Sequence, residues 1–183
     1  MTHVTTAHWR RLDCEGTDRC TLARADHGWM LNGLAQWGGP EEGELIYAVR
    51  SAPGWETLSA DVTGQVAGRT VALKLVRDAG LWTMNGVPQP DLSGCVDVDL
   101  SFTPATNLLP LRRLTLGDVP VPVHAAWLMP DLRRLALLSQ SYGRGGGADE
   151  VIYSSPRFEA CLRVHPSGFV THYPGLWEGW VDA

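Results

Sequence analysis

The chain has 183 residues, 44% of them hydrophobic and 19% charged, so it can bury a core without help from disulfides or metal ions. Its net charge of −5 provides no basic surface for nucleic acid or for an anionic membrane. The first residues lack the apolar stretch of a secretory signal, and no apolar run approaches the ~20 residues of a membrane-spanning helix. We therefore expect a cytoplasmic protein with no transmembrane segment and no nucleic-acid partner, whose four cysteines stay reduced.

Short runs rich in Val, Leu, Trp and Tyr follow one another along the chain, separated by glycine and proline. This spacing is typical of an all-β protein. The predicted strands are Thr21–Ala25, Trp29–Gln36, Glu44–Val49, Glu56–Val62, Arg69–Arg77, Leu81–Met84, Cys95–Ser101, Leu114–Leu116, Val121–Leu128, Leu135–Tyr142, Val151–Ser154, Phe158–Val164, Phe169–Tyr173 and Leu176–Val181. The alternation in Arg69–Arg77 indicates an antiparallel sheet with one solvated face. We predict one all-β or mainly β domain over residues 1–183, with many short strands and little helix.

Four segments between or within these runs predict turns or helix. Asp78-Ala79-Gly80 lies between two apolar runs and is a hairpin signal. Pro104–Pro110 is predicted to form a short 3₁₀ turn. Asp131–Leu138 is the best remaining helix candidate, but it lacks a capping box and has strand-like neighbours, so we interpret it as mostly strand. The glycine-rich segment Gly143–Ala148 predicts a hairpin loop.

The segment from Cys95 to Arg113 concentrates polar side chains. Asp97 and Asp99 are two residues apart on a predicted strand, so both point to one face. Neighbouring carboxylates raise each other's pKa unless cations intervene, and Arg112 and Arg113 follow after a Thr-Pro turn as plausible partners. We favour an Arg–Asp ion pair that locks this connection. The alternative is the polar floor of a pocket that binds sugar hydroxyls, and a two-carboxylate glycosidase is a weaker form of that alternative.

Asn107 is interpreted as a turn residue whose amide satisfies backbone groups.

The chain contains no nucleophile elbow, phosphate-binding loop, dinucleotide fingerprint or metal-ligand spacing, so we predict no cofactor, no metal and no catalytic residue. Cys14 and Cys20 do not match the spacing of a zinc knuckle, and we favour free thiols over a disulfide. The eight tryptophans are interpreted mostly as core, although some of them are candidates for lining a ligand cavity.

A series of motifs runs in order along nearly the whole chain. They are Trp9-Arg10-Arg11, Tyr47…Trp55, Asp78-Ala79-Gly80-Leu81-Trp82, Gly94–Leu100, Thr103–Asn107, Leu109–Leu114, Pro130-Asp131-Leu132, Gln140-Ser141-Tyr142 and Tyr173–Leu176. Together they resemble the family of putative glycolipid-binding proteins, long catalogued as a domain of unknown function. The chain departs from the family pattern after Trp55, at Leu108 and at His165. The resemblance implies a rolled antiparallel sheet, a β-roll or half-barrel similar to bacterial lipoprotein carriers, and it carries no established catalytic residues.

Three functions are consistent with these features, and we favour the first. It is a binding protein that holds an amphiphilic or glycosylated small molecule, such as a lipid or glycolipid, in the concavity of the rolled sheet. The candidate residues for the polar end are Asp97, Asp99, Asn107, Arg112, Arg113, Trp127, Gln140 and Tyr142. The second function is an enzyme that uses Asp97 or Asp99 as acid or base on a polar metabolite. The third is a structural module that forms a homodimer through a sheet edge or face.

Overall fold

One curved sheet of fifteen strands makes up most of the computed structural model, which describes residues 4–183. The first three residues of the predicted domain lie outside the described part. The strands are β1 (Val4–Arg11), β2 (Gly16–Ala25), β3 (Gly28–Trp37), β4 (Gly43–Ser51), β5 (Thr57–Val66), β6 (Arg69–Asp78), β7 (Leu81–Met84), β8 (Val87–Gln89), β9 (Asp97–Leu100), β10 (Val121–Leu128), β11 (Leu135–Arg144), β12 (Glu150–Ser155), β13 (Phe158–Val164), β14 (Val170–Tyr173) and β15 (Trp177–Val181). The predicted fold class, mainly β with a curved sheet, is confirmed.

The sheet follows the chain as two meanders that meet in the middle. From one edge the strands run in order from β8 to β1, and from there they run from β15 to β9. The pairing of β1 with β15 joins the two halves, with Trp9 opposite Gly179. Strand β9 lies parallel to β10 and ends the second half. The sheet does not close into a barrel, but β9 touches the first half, because the Val98 amide donates to Thr57 Oγ1 at 3.0 Å.

Helical structure in the described residues is short. It comprises 3₁₀ turns at Pro90–Leu92 and Ala105–Asn107 and one α-helix, α1 (Leu108–Arg113). The 3₁₀ turn predicted over Pro104–Pro110 is therefore right in its first part, and the chain then continues as α1. Among residues 4–183, no helix combines the length and the apolar character that crossing a bilayer requires.

Two predicted strands need correction. Leu114–Leu116 is not a strand, because Leu114 ends α1 and its amide donates to the Pro110 carbonyl at 2.9 Å rather than to a neighbouring strand. Strand β9 begins at Asp97 and not at Cys95. The Cys95 carbonyl instead accepts side-chain hydrogen bonds, from Arg77 Nε at 3.0 Å and Trp82 Nε1 at 2.9 Å.

Two-residue turns connect the strands from β5 to β8. The pairs Ala67-Gly68, Ala79-Gly80 and Asn85-Gly86 have positive φ at both positions. Such turns match the twist of antiparallel strands. The predicted hairpin at Asp78-Ala79-Gly80 is confirmed, with Asp78 opposite Leu81. Alanine is strained in this conformation, and Ala79 has a φ of 47°.

Replacing Ala79 by asparagine is expected to raise the free energy of unfolding by about 0.5–1 kcal/mol, because asparagine tolerates the left-handed region better than alanine. The control is Ala72→Asn at an exposed position within β6, where asparagine is disfavoured and stability is expected to fall. Denaturant unfolding of both variants measures the difference. Equal changes at the two positions would contradict the strain assigned to Ala79.

The space between the two halves of the curved sheet is occupied by the protein's own chain. Every residue from 102 to 110 is buried. Thr103 contacts β4, since its hydroxyl lies 3.0 Å from Tyr47 Oη. Asn107 contacts β11, since its amide donates to Tyr142 Oη at 2.9 Å. The concavity predicted to hold a ligand is therefore largely filled by this segment.

Candidate functional site

The Cys95–Arg113 segment contains the Arg–Asp pair that its sequence predicts. Arg113 Nη2 donates to Asp97 Oδ2, and the Asp97 side chain is only 2% exposed. Burial raises the pKa of Asp97 to about 6, although the positive charge of Arg113 acts in the opposite direction. Two buried atoms of the pair, Asp97 Oδ1 and Arg113 Nε, have no hydrogen-bond partner. The pair is thus incompletely satisfied, and Asp97 is neutralised at a pH not far below neutrality.

Asp99 has a different environment from Asp97. It is half-buried, and Gln140 Nε2 donates to its Oδ2 at 2.7 Å. The same amide nitrogen lies 3.0 Å from Tyr153 Oη. Burial raises the pKa of Asp99 to about 6, against the lowering effect of the Gln140 hydrogen bond. Trp127, also half-buried, lies opposite Asp99 across the parallel β9–β10 pair.

Asp97, Arg113, Asp99 and Gln140 form a polar cluster around Asp97. Of the other predicted residues, some extend this cluster and others lie outside it. Asn107 donates its side-chain amide to Tyr142, so our interpretation that it satisfies backbone groups is wrong. The Arg112 guanidinium is exposed and lies 5.0 Å from the centre of the Trp55 ring, so it does not pair with either acid. The polar groups of Asp97, Asp99 and Asn107 therefore bond mainly to other residues of this cluster.

Asp18 is a second buried acid, which no predicted strand or motif included. Asp18 on β2 is 2% exposed, and the Thr103 hydroxyl donates to its Oδ2. Tyr47 Oη lies 3.1 Å from Asp18 Oδ1 and 3.0 Å from Oδ2. Burial raises the pKa of Asp18 to about 7, although the hydrogen bonds from Thr103 and Tyr47 lower it. The alternation of Asp18 with Cys20 and Leu22, all buried on β2, is the sequence signal that could have found it.

The clefts that open on the described part of the surface include four of about 300 to 630 Å³, and two of these four meet at Trp37. Arg113 lines the smallest of these four clefts and Arg112 lines another, but the other six candidate residues line none of the four. The first cleft at Trp37, of about 570 Å³, we name the polar cleft. It is lined by Trp37 with Glu15, Gln36, Glu42, Glu44 and Gln65.

The second cleft at Trp37, of about 630 Å³, we name the apolar cleft. Its apolar lining consists of Trp37, Pro40, Val66, Phe102, Pro130 and Leu132, and Arg11, Asp13 and Glu41 also line it. Both volumes fall in the range of small-molecule sites, roughly 300–1,000 Å³. The sequence did not predict this arrangement.

Trp37, which lines both clefts, is held in place by its neighbours. Its Nε1 donates to the Glu41 carbonyl at 2.6 Å, and its ring lies 6.4 Å from the Phe102 ring between centres. A Cβ atom on Gly43 would lie 2.4 Å from Trp37 Cζ2, so only glycine lets the indole lie against β4. The ring is thus fixed before any ligand arrives.

Among residues 4–183, no three His, Cys, Asp or Glu side chains are grouped closely enough to hold a metal ion. The four cysteines are free thiols, as the sequence analysis favoured.

The single curved sheet places the chain among the all-β proteins with one rolled sheet. Comparison with known proteins identifies the family. The chain belongs to the family described as "Putative glycolipid-binding", which it matches over residues 6–179. The crystal structure of a DUF1089 family protein from Pseudomonas aeruginosa is similar, with a TM-score of 0.75 and 26% sequence identity over 88% of this chain and 91% of that one. No curated protein matches the chain.

Proposed function

We propose that this protein binds an amphiphilic, glycosylated small molecule of the glycolipid type. The observation that carries the proposal is the meeting of a polar and an apolar cleft at one tryptophan, Trp37. An amphiphile needs an apolar wall for its chain and convergent hydrogen-bonding groups for its head, and the two clefts offer these side by side. The description of the family supports the same kind of ligand.

The cluster around Asp97 has a supporting role in this proposal. Asn107, within the 102–110 segment, bonds to Tyr142 on β11, and Arg113, just after the segment, is paired with Asp97 on β9. These two contacts hold the segment between the halves of the sheet, and the bond from Gln140 to Asp99 fixes β9 against β11. That segment in turn supplies Phe102 to the apolar cleft. Direct contact between the predicted polar residues and a ligand stays a prediction.

Native mass spectrometry tests the proposal. Purified protein is incubated with a total lipid extract of its host, separated from free lipid, and transferred to the gas phase without detergent. We expect a bound mass of one molecule per chain, which lipid extraction and fragmentation identify as a glycosylated lipid.

The same protein unfolded by heat before incubation is the control, because it offers exposed apolar chain without the clefts. An apo mass for the folded protein across lipid extracts would contradict the proposed function. A bound lipid that lacks a sugar would contradict the glycosylated head.

A further inference from the structure

We infer that the head of the ligand is an uncharged sugar that stacks on Trp37 in the polar cleft, with its alkyl chain in the apolar cleft. This inference rests on the proposed function and narrows it to one chemical class. Anionic amphiphiles such as phospholipids, sulfolipids and acidic glycolipids are discriminated against.

The polar cleft has the hydrogen-bonding groups that a sugar uses. Glu42 and Glu44 carry carboxylates that accept hydrogen bonds from neighbouring hydroxyls, whereas Gln36 and Gln65 carry amides that both donate and accept. Gln36 Nε2 already donates to Glu44 Oε2 at 2.6 Å, which orients the two groups. A pyranose presents vicinal hydroxyls around its rim, so this mixture of acceptors and donors matches it.

Trp37 provides the apolar surface on which a sugar ring packs. The C–H face of a pyranose packs on an indole, as other apolar groups do. The hydrogen bond from Trp37 Nε1 to the Glu41 carbonyl and the close contact with Gly43 fix the ring plane. A fixed platform lowers the entropic cost of binding.

The apolar cleft is lined by the same Trp37 ring. Phe102, Val66 and Leu132 contribute its apolar wall. The hydroxyl of Ser101, which also lines this cleft, is shielded from solvent and has no hydrogen-bond partner. Because solvent does not reach it, this hydroxyl is not among the groups that we assign to the ligand.

The charge around Trp37 selects the class of head group. The polar cleft is lined by the carboxylates of Glu15, Glu42 and Glu44, and no lysine, arginine or histidine is among the described residues that line it. Arg11, on the apolar cleft, is already paired with Asp13 at 2.6 Å. An anionic head would therefore be repelled without a compensating cation, and a neutral sugar would not.

Isothermal titration calorimetry with two matched ligands tests this inference. They are octyl β-D-glucoside and octyl β-D-glucuronide, below their micelle concentrations, which differ only by a carboxylate on the sugar. We expect the glucoside to bind about tenfold more tightly at low salt, with a smaller ratio at high salt. Glucose alone and octanol alone are each expected to bind more weakly than the glucoside, because each occupies one cleft. Equal affinity for the two glycosides would overturn the charge selection.

Substitutions at the cleft residues test whether the ligand binds at Trp37. Trp37→Ala is expected to weaken glucoside binding about tenfold or more, whereas Trp180→Ala, at a tryptophan 58% exposed on β15, leaves it unchanged. The double variant Glu42→Gln/Glu44→Gln is expected to weaken glucoside binding, because amide oxygens accept from hydroxyls more weakly than carboxylates do, and to lower the ratio of glucoside to glucuronide affinity, because two of the three carboxylates of the cleft are removed. Glu159→Gln on β13 is expected to change neither the affinity nor the ratio. The glutamates are exposed, so this variant reports on the site even if Trp37→Ala fails to fold.

The outcomes distinguish the two proposals. If the lipid found by native mass spectrometry stays bound in both cleft variants, the Trp37 site is wrong and the proposed function stands. If neither the lipid extract nor the glycosides bind to the wild-type protein, the proposed function itself is wrong.

Discussion

Replacing Arg113 by methionine is expected to lower the free energy of unfolding by about 3 kcal/mol at about pH 8, because it leaves the Asp97 carboxylate buried without its cation. The Asp97 side chain is 2% exposed and that of Arg113 is 22% exposed, so water cannot replace the lost partner at Asp97. Methionine keeps much of the apolar volume of the arginine side chain. The loss therefore reports on charge rather than on packing.

The same substitution is expected to cost much less at about pH 5, roughly 1 kcal/mol. The pKa of Asp97 is about 6 in the folded protein and 3.8 in the reference state, so the folded protein holds this proton more tightly than the unfolded chain does. The stability from this proton is fully present below about 3.8 and is lost as pH rises through about 6. Below about pH 6 the folded protein keeps the Asp97 carboxyl neutral. A neutral carboxyl needs no cation, so the loss of Arg113 matters less there.

Arg112→Met is the matched control for Arg113→Met. Arg112 precedes Arg113 in the same helix, but its guanidinium is exposed and rests on Trp55. Its loss is expected to cost about 0.5–1 kcal/mol at both pH values. Urea unfolding of both variants at the two pH values gives the comparison. A loss for Arg113→Met that does not depend on pH would contradict a role for the Asp97 charge.

The sequence predicted those features of the fold that depend on neighbouring residues. The Ala79-Gly80 hairpin and the strands around it were found because their turn and alternation signals lie within a few residues. Strand β1 was missed because Thr5, Thr6, His8 and Arg10 give it too little apolar alternation. Its place in the middle of the sheet depends on pairing with β15, more than 160 residues away in the chain.

In the candidate site, too, contacts between residues close in the sequence were predicted, and contacts between distant residues were not. The Asp97–Arg113 pair spans 16 residues, so a local motif indicated it. The bond from Thr103 to Asp18 spans 85 residues, and Asp18 lay outside every predicted strand. The polar cleft combines residues from 15 to 68, which only the folded sheet brings together. Local patterns therefore predicted the cluster that supports the fold better than the clefts on its surface.

Most carboxylates make a protein more stable as pH rises, because their pKa is lower in the folded state. Asp18 is expected to do the opposite, so that the free energy of unfolding falls as pH rises toward neutrality. The pKa of Asp18 is about 7 in the folded protein and 3.8 in the reference state. Because the folded value is the higher one, the stability from the bound proton is complete below about 3.8 and is lost as pH rises through about 7. Asp97 and Asp99, with pKa values of about 6, act in the same direction at lower pH.

Asp18→Asn isolates the contribution of this one group. Asparagine has nearly the same shape, can accept from Thr103 or Tyr47, and is neutral at every pH. Between about pH 5 and pH 8.5 the wild-type protein is expected to lose about 3 kcal/mol because of Asp18, a loss that the variant escapes. The difference between their unfolding free energies should grow through about pH 7 in favour of the variant. Parallel curves for the two proteins would show that Asp18 is already ionised in the folded state at pH 5, and that the Tyr47 and Thr103 hydroxyls outweigh its burial.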